Sequence, residues 1–170
     1  MISVETFQPE HWHDFFVMIG GAAAALTGLV FVALSINLKE IVNDPTHRYR
    51  AIGTLTGFIA AFTICAFGLI PNQSYQILGA EWLIVSLIAA FIYTRGYIQA
   101  KSSGKSAVGL RTKRLALGTG LYVIITIGTI MIILGNKYGL YVATITLIIF
   151  IAYTITGAWL LLIGVQQEKK

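Results

Sequence analysis

A cluster of ionisable side chains near the N-terminus has the residue types and the spacing that could bind a metal ion. In the segment Glu10-His11-Trp12-His13-Asp14, residues Glu10, His13 and Asp14 stand at i, i+3 and i+4, so a helix would present them on one face. Glu-x-x-His is a spacing that carboxylate metal sites use, and imidazole with carboxylate suits zinc, manganese or iron. The sequence therefore predicts a candidate divalent-metal site here, at the outer face.

Glu81 is the carboxylate expected to complete this site. It lies one turn inside the third apolar stretch, at the same predicted depth as the N-terminal cluster. Because a Glu side chain is too short to reach the lipid headgroups easily, we expect it to have a partner. Two other interpretations stay open. The cluster could form a charged vestibule or selectivity ring, or it could anchor the chain with Trp12 and the imidazoles among the headgroups.

Charged residues are otherwise nearly absent from the apolar stretches, and this excludes several classes of protein. No carboxylate, Lys or His lies near the centre of a predicted span, which argues against a proton-coupled transporter, a voltage sensor or a hydrolytic site inside the membrane. The sequence contains no P-loop, no His-Glu-x-x-His and no Ser-His-Asp arrangement. We therefore expect no enzyme, and no cofactor apart from the candidate metal.

Five apolar stretches must position these residues. Of the 170 residues, 56% are hydrophobic and 11% are charged, whereas a soluble domain has about 25% charged residues. Since a helix needs about 20 apolar residues to cross a bilayer core, the stretches predict an all-α integral membrane bundle of five transmembrane helices over residues 15–165. An interfacial segment at 1–14 precedes the bundle and a short tail at 166–170 follows it. The stretches are Phe15–Leu38, Ala51–Ile70, Ile77–Ile98, Leu115–Leu134 and Tyr138–Val165.

The distribution of positive charge predicts how the bundle is oriented. Eleven of the twelve Lys and Arg residues lie on one side of the five predicted spans, and Lys137 alone lies on the other. Because cytoplasmic loops carry the excess of Lys and Arg, the N-terminus is predicted to lie outside and the C-terminus in the cytoplasm.

The connection between the third and fourth spans contains the largest basic group. This group first of all sets the topology, and it could also contact anionic lipid headgroups at about 1 kcal/mol per residue. Since the basic residues follow the predicted loops, the formal net charge of +5 does not indicate nucleic-acid binding. The basic residues of this loop are Lys101, Lys105, Arg111, Lys113 and Arg114.

Small residues recur at four-residue spacing on the first two spans. Small side chains let two helix backbones approach closely, so each face is predicted to pack against a neighbouring helix. The neighbour is either another helix of the same chain or a second copy in a symmetric homo-oligomer. The two faces consist of Gly20, Ala24 and Gly28 and of Gly53, Gly57 and Ala61.

The spans are also rich in threonine, including positions 54, 56, 63, 119, 126, 129, 144, 146, 154 and 156. A threonine hydroxyl in a membrane helix normally donates to the carbonyl three or four residues earlier. The alternative is a hydroxyl-lined path for water, ions or small polar solutes.

Aromatic residues and a turn mark the edges of the spans. The segment Gly135–Gly139 predicts a tight turn that joins the last two helices into a hairpin. The aromatic residues expected at the outer interface are Trp12, Phe15, Tyr75, Trp82 and Tyr138, and those expected at the inner interface are Tyr49, Tyr97 and Trp159.

The first third of the chain carries a resemblance. The run HWHDFFV at 11–17, followed by GAAAALTGLVFVALSINL at 21–38, resembles the opening of a group of small bacterial multi-pass membrane proteins. The resemblance implies a location in the bacterial inner membrane. It implies no activity, functional residue or cofactor.

Two classes of function remain. The first is a homo-oligomeric channel or passive permeation protein, favoured by the small-residue faces, the threonines and the absence of coupling charges. The alternative is a structural or regulatory subunit that packs against another membrane protein in a larger complex. The expected partners are thus the lipid bilayer, further copies of the chain, or that complex.

Overall fold

The protein is all-helical over the part of the chain that the structure covers. The computed structural model describes residues 10–102 and 108–167, and the side chains of these residues except those at positions 10, 11, 46, 97, 99–102, 108–115 and 164–167. These two ranges contain no strand. The helices are α1 Glu10–Ile36, α2 Leu38–Asn43, α3 Pro45–Gly68, α4 Tyr75–Ser102, α5 Val108–Ile133 and α6 Tyr138–Gln167.

Five of these helices are long and apolar enough to cross a membrane. They confirm the five predicted stretches, and their bounds differ from the predicted ones by at most four residues. The fold is therefore that of a multi-pass helical membrane protein, and the orientation of its termini stays a prediction. The spans are Trp12–Ile36, His47–Gly68, Tyr75–Gly96, Ala116–Ile133 and Tyr138–Ile163.

Four of the long helices form a closed ring. Helices α3, α4, α5 and α6 each pack against the next, and α6 returns to α3. Neighbours in sequence run antiparallel because their connections are only a few residues long. Helix α1 lies outside the ring, along α3, with a smaller contact to α6. We call the end where α1 begins the N-terminal end of the bundle, and the end where α6 finishes the C-terminal end.

Apolar side chains cover the outside of the bundle as well as its interior. Phe58, Trp82 and Leu147 are at most 1% exposed in the ring, whereas Leu29 on α1 is 68% exposed and Phe91 on α4 is 60% exposed. A helix that is apolar on all sides is either buried in a large protein or placed in lipid. Because these apolar side chains are exposed on the outside of the bundle, this surface fits a bilayer.

The predicted turn between α5 and α6 is present, and Gly135 lies at the end of α5. Gly135 has a φ of +73°, its N–H donates to the carbonyl of Ile132 at 2.9 Å, and the N–H of Asn136 donates to the carbonyl of Met131 at 2.9 Å. This pair of bonds is a Schellman motif, which needs the left-handed backbone that glycine adopts without strain. Helix α6 then begins at Tyr138 and packs back along α5.

The start of α3 is set by Asp44 and Pro45. Asp44 has an extended backbone, its carboxylate accepts the N–H of His47 at 3.4 Å, and its carbonyl accepts the N–H of Arg48 at 3.0 Å. Pro45 is the first helical residue, where its missing N–H costs nothing. Both Asp44 and His47 are buried, so this corner fixes α3 against the short helix α2.

Candidate functional site

The predicted metal cluster lies at the N-terminal end of the bundle, and its members are differently placed. His13 and Asp14 are both exposed on α1, with 3.3 Å between the Nδ1 and Oδ1 atoms. Glu81 is half-buried on α4, and its carboxylate accepts a hydrogen bond from the Nε2 of Gln73. The side chain of Glu10 lies outside the described residues.

These placements do not assemble a metal site from the described side chains. Within residues 12–96 and 116–163, no three His, Cys, Asp or Glu side chains form a group that could hold a metal ion. Among the described side chains, the partner of the Glu81 carboxylate is Gln73, in the loop before α4. The metal hypothesis, which includes Glu10, stays a prediction.

The small-residue face of α1 is split between two environments. Gly20 is buried against α3, where an added Cβ would lie 3.0 Å from the Cβ of Cys65, and Ala23 is fully buried beside it. Ala24 and Gly28 are exposed, and a Cβ built on Gly28 or on Gly21 meets no atom within 4 Å. The prediction from the sequence grouped these residues by their spacing alone, so it did not separate the two environments.

The small-residue face of α3 lies inside the ring. A Cβ on Gly57 would lie 2.5 Å from Thr154 on α6, and Ala61 is 1% exposed. Gly53 is half-buried, and a Cβ there would lie 3.3 Å from the ring of Tyr93 on α4. The neighbours of this face therefore belong to the same chain.

The threonine hydroxyls mainly bond within their own helices. Eight of the ten threonines singled out from the sequence donate to a carbonyl three or four residues earlier, as that interpretation predicts. A hydroxyl that is bonded in this way offers little to a permeating solute. The eight residues are Thr63, Thr119, Thr126, Thr129, Thr144, Thr146, Thr154 and Thr156.

The basic loop cannot be placed from the described residues, because the side chains of Lys101, Lys105, Arg111, Lys113 and Arg114 lie outside them. Along the chain, the described basic side chain closest to this loop is that of Arg95. It is exposed, and its Cζ atom lies 5.1 Å from the centroid of the Phe91 ring. Lipid contact by this loop stays a prediction.

The position of Trp82 differs from the prediction. Instead of facing the headgroups, its indole is 1% exposed inside the bundle, edge-on to Phe16 with 5.7 Å between ring centroids. Phe16 in turn fills the space left by Gly68 on α3. Because a tryptophan near a span end can face lipid or a neighbouring helix, its sequence position did not determine which.

Four tyrosines, one from each helix of the ring, meet in a single cluster toward the C-terminal end. They are Tyr49 on α3, Tyr93 on α4, Tyr122 on α5 and Tyr153 on α6. The hydroxyls of Tyr93 and Tyr153 share a hydrogen bond of 2.8 Å. The ring centroid of Tyr93 lies 5.8 Å from that of Tyr49 and 5.7 Å from that of Tyr122. We call these four residues the tyrosine cluster.

Glycines make the room that the tyrosine cluster occupies. A Cβ on Gly118 would collide with the hydroxyl of Tyr93 and lie 2.9 Å from that of Tyr153. A Cβ on Gly96 would lie 2.8 Å from the ring of Tyr49. The bulky rings therefore lie directly on the backbones of α5 and α4.

A small cavity lies beside the tyrosine cluster, deeper in the ring. All four ring helices line it, among others through Ala61, Ser86, Ile125 and Leu147. The cavity has a volume of about 10 Å³, and the atoms exposed to it are apolar. A space of that size holds about one water, and an apolar one stays dry.

Sequence reasoning missed the tyrosine cluster, although a signal was present. The sequence predicts Tyr49 as a single anchor at the inner interface and does not distinguish the other three tyrosines from ordinary apolar residues of the spans. Tyr93, Tyr122 and Tyr153 all lie within spans, where a tyrosine hydroxyl needs a hydrogen-bond partner. That requirement indicates that they should meet polar groups, although it does not identify them.

No protein-family model, no curated protein and no solved structure matches the chain.

Proposed function

We propose that this protein is a structural subunit of a membrane assembly and that α1 joins copies of the chain. The feature that carries the proposal is an exposed face of small residues on α1, formed by Gly21, Ala24, Ala25 and Gly28. These residues recur at i, i+3, i+4 and i+7, which places them on one side of the helix. A second α1 helix packed there would bring two backbones close together, which is the geometry that stabilises helix pairs in lipid.

The position of α1 in the fold supports the same proposal. Of the residues in the most apolar stretch of α1, 22% are buried, whereas 33% to 44% are buried in the corresponding stretches of the other four spans. Helix α1 lies outside the ring and contacts the rest of the chain mainly through α3. The exposed small residues therefore occupy the part of the bundle that is most available to a neighbour.

A permeation path through one copy receives no support from the ring interior. Phe58, Trp82 and Leu147 fill it, and the cavity between the four helices admits about one water. The threonine hydroxyls bond to their own helices rather than to the axis. A homo-oligomeric channel would have to conduct between copies, so the structural role is the better supported of the two functions.

Native mass spectrometry of the protein released from mild detergent tests the proposal. We expect a single closed oligomer for the natural sequence, because the α1 faces are self-complementary under a symmetry axis. The double variant Gly21→Leu, Gly28→Leu should be monomeric, since two bulky side chains keep the helices apart. The thermal stability of each monomer should be unchanged or slightly higher, because neither position contacts the rest of the chain and leucine favours a helix over glycine.

Gly120→Leu on α5 is the matched control, since a Cβ at Gly120 also meets no atom within 4 Å. It should leave the oligomer intact. A natural-sequence protein that is monomeric in both detergent and lipid nanodiscs would overturn the proposal. The same spectra test the metal hypothesis, because a metal-sized mass increment that His13→Ala removes would establish a site at the N-terminal cluster.

A further inference from the structure

We propose that the tyrosine cluster binds a water molecule, and that the hydroxyl of Tyr122 donates a hydrogen bond to it. The site would be a polar, hydrated point inside the membrane-spanning ring. It is independent of the α1 face and of any assembly that the face mediates.

The hydroxyl of Tyr122 carries the inference. Its side chain is 6% exposed, and its oxygen has no hydrogen-bond partner among the described residues. A buried hydroxyl that loses its bonds to water and gains none in return destabilises the folded state. Buried polar groups of this kind are normally satisfied by protein or by ordered water.

The neighbouring hydroxyls supply the further partners that a bound water needs. A helical side chain points back toward the N-terminus of its helix, so the Tyr122 ring leans from α5 toward the level of Gly118. The hydroxyls of Tyr93 and Tyr153 lie at that level. The ring centroids of Tyr122 and Tyr93 lie 5.7 Å apart.

The chemistry of the cluster selects a small neutral guest. The groups that meet here are phenol hydroxyls and aromatic rings. Phe150 packs against Tyr122, with 5.1 Å between the two ring centroids. The close contacts at Gly118 leave no room for a large molecule. Water both donates and accepts, so it can bond to Tyr122 and to a second hydroxyl at once.

The proposed water lies toward the C-terminal end of the bundle. Tyr49 is two residues inside the span His47–Gly68, and Tyr122 is six residues inside the span Ala116–Ile133. At 1.5 Å per residue, Tyr122 is about 9 Å along the helix from the start of its span. Tyr49 and Tyr153 are half-buried, so the bundle does not enclose them completely. Tyr122 also lines the apolar cavity, which lies deeper in the ring.

Water-edited solid-state NMR of the protein in lipid bilayers, labelled at tyrosine Cζ and leucine methyl carbons, tests the site. The Tyr122 signal is assigned by its loss in Tyr122→Phe. We expect its build-up with water mixing time to approach that of Tyr138, which is 60% exposed at the α5–α6 turn. A build-up as slow as that of the Leu147 methyls, which are buried in the ring, would overturn the proposal.

Thermal unfolding gives an independent readout. If the hydroxyl is bonded to water, Tyr122→Phe lowers the Tm, because the variant loses that bond and keeps the ring. A raised or unchanged Tm would mean that the hydroxyl is unsatisfied, which contradicts the proposal. Tyr141→Phe is the control, since Tyr141 is 56% exposed and its Tm should match that of the natural sequence. If Tyr122 bonded directly to another tyrosine, Tyr122→Phe would also lower the Tm. In that case the Tyr122 signal would show slow build-up from water in the NMR experiment.

Discussion

At the scale of single residues, polar groups in this bundle are satisfied in two different ways. Thr144 and Thr154 donate to carbonyls of their own helix, so their bonds depend only on local spacing. Tyr93 instead bonds to Tyr153, which is sixty residues away on a different helix. The first kind can be predicted from a sequence, and the second requires the arrangement of the helices.

Gly118 is the residue on which the tyrosine cluster most directly depends. We expect Gly118→Ala to lower the free energy of unfolding by about 1–3 kcal/mol, because the added methyl group forces the hydroxyls of Tyr93 and Tyr153 to move. The measurement is unfolding in mixed micelles titrated with dodecyl sulfate, followed by circular dichroism.

Gly120→Ala is the control for that prediction, because it makes the same change two residues away in open space. Alanine favours a helix over glycine by up to about 1 kcal/mol, so this variant should be neutral or slightly more stable. Equal destabilisation by the two variants would show that the glycines matter for the helix and not for the cluster.

At the scale of helices, the close contacts follow glycines that spacing alone did not identify. A Cβ on Gly139 at the start of α6 would lie 2.7 Å from the backbone nitrogen of Ile132, and one on Gly128 would lie 3.0 Å from that of Ala143. These two glycines bring α5 and α6 together, although no four-residue repeat marks them. The regular face at 20, 24 and 28 is only partly used within the chain.

Gly20 and Gly21 are adjacent, yet Gly20 faces α3 and Gly21 faces open space. Variants at the two positions therefore test the α1–α3 contact and the proposed contact between copies separately. Gly20→Leu should loosen α1 from α3, because its side chain would overlap Cys65. If the free energy of local opening falls by about 1–2 kcal/mol, the rate at which a membrane-permeant maleimide labels Cys65 should rise about 5–30-fold. Mass spectrometry measures this rate directly, since Cys65 is the single cysteine.

Gly21→Leu is the counterpart, because Gly21 has open space around it. It should leave the labelling rate of Cys65 at the natural value while weakening the oligomer. The prediction fails if both variants expose Cys65 to the same extent.

At the scale of the whole molecule, the distribution of charge predicts an orientation that the helix packing does not address. Lys137 lies in the α5–α6 turn at the N-terminal end, and the other eleven basic residues belong to the opposite side of the predicted topology. In a Cys65→Ser background, Lys137→Cys should react with a membrane-impermeant maleimide in intact cells, and Lys169→Cys should react only after lysis. The reverse pattern would show that the positive charges do not control insertion of this chain.

The sequence by itself determined the five spans, the α5–α6 turn and the bonding of most threonines. Each depends on a local sum or a local contact: hydropathy over about 20 residues, a left-handed glycine at 135, or a carbonyl one turn earlier. Only the tertiary structure decided that Trp82 lies inside the bundle and that Gly28 lies on its outer surface. It alone also decided that tyrosines from four helices form one cluster. The physical reason is that lipid and protein interior are both apolar, so helix periodicity carries little information about which face packs. That choice depends on how side chains fit across helices that are distant in sequence.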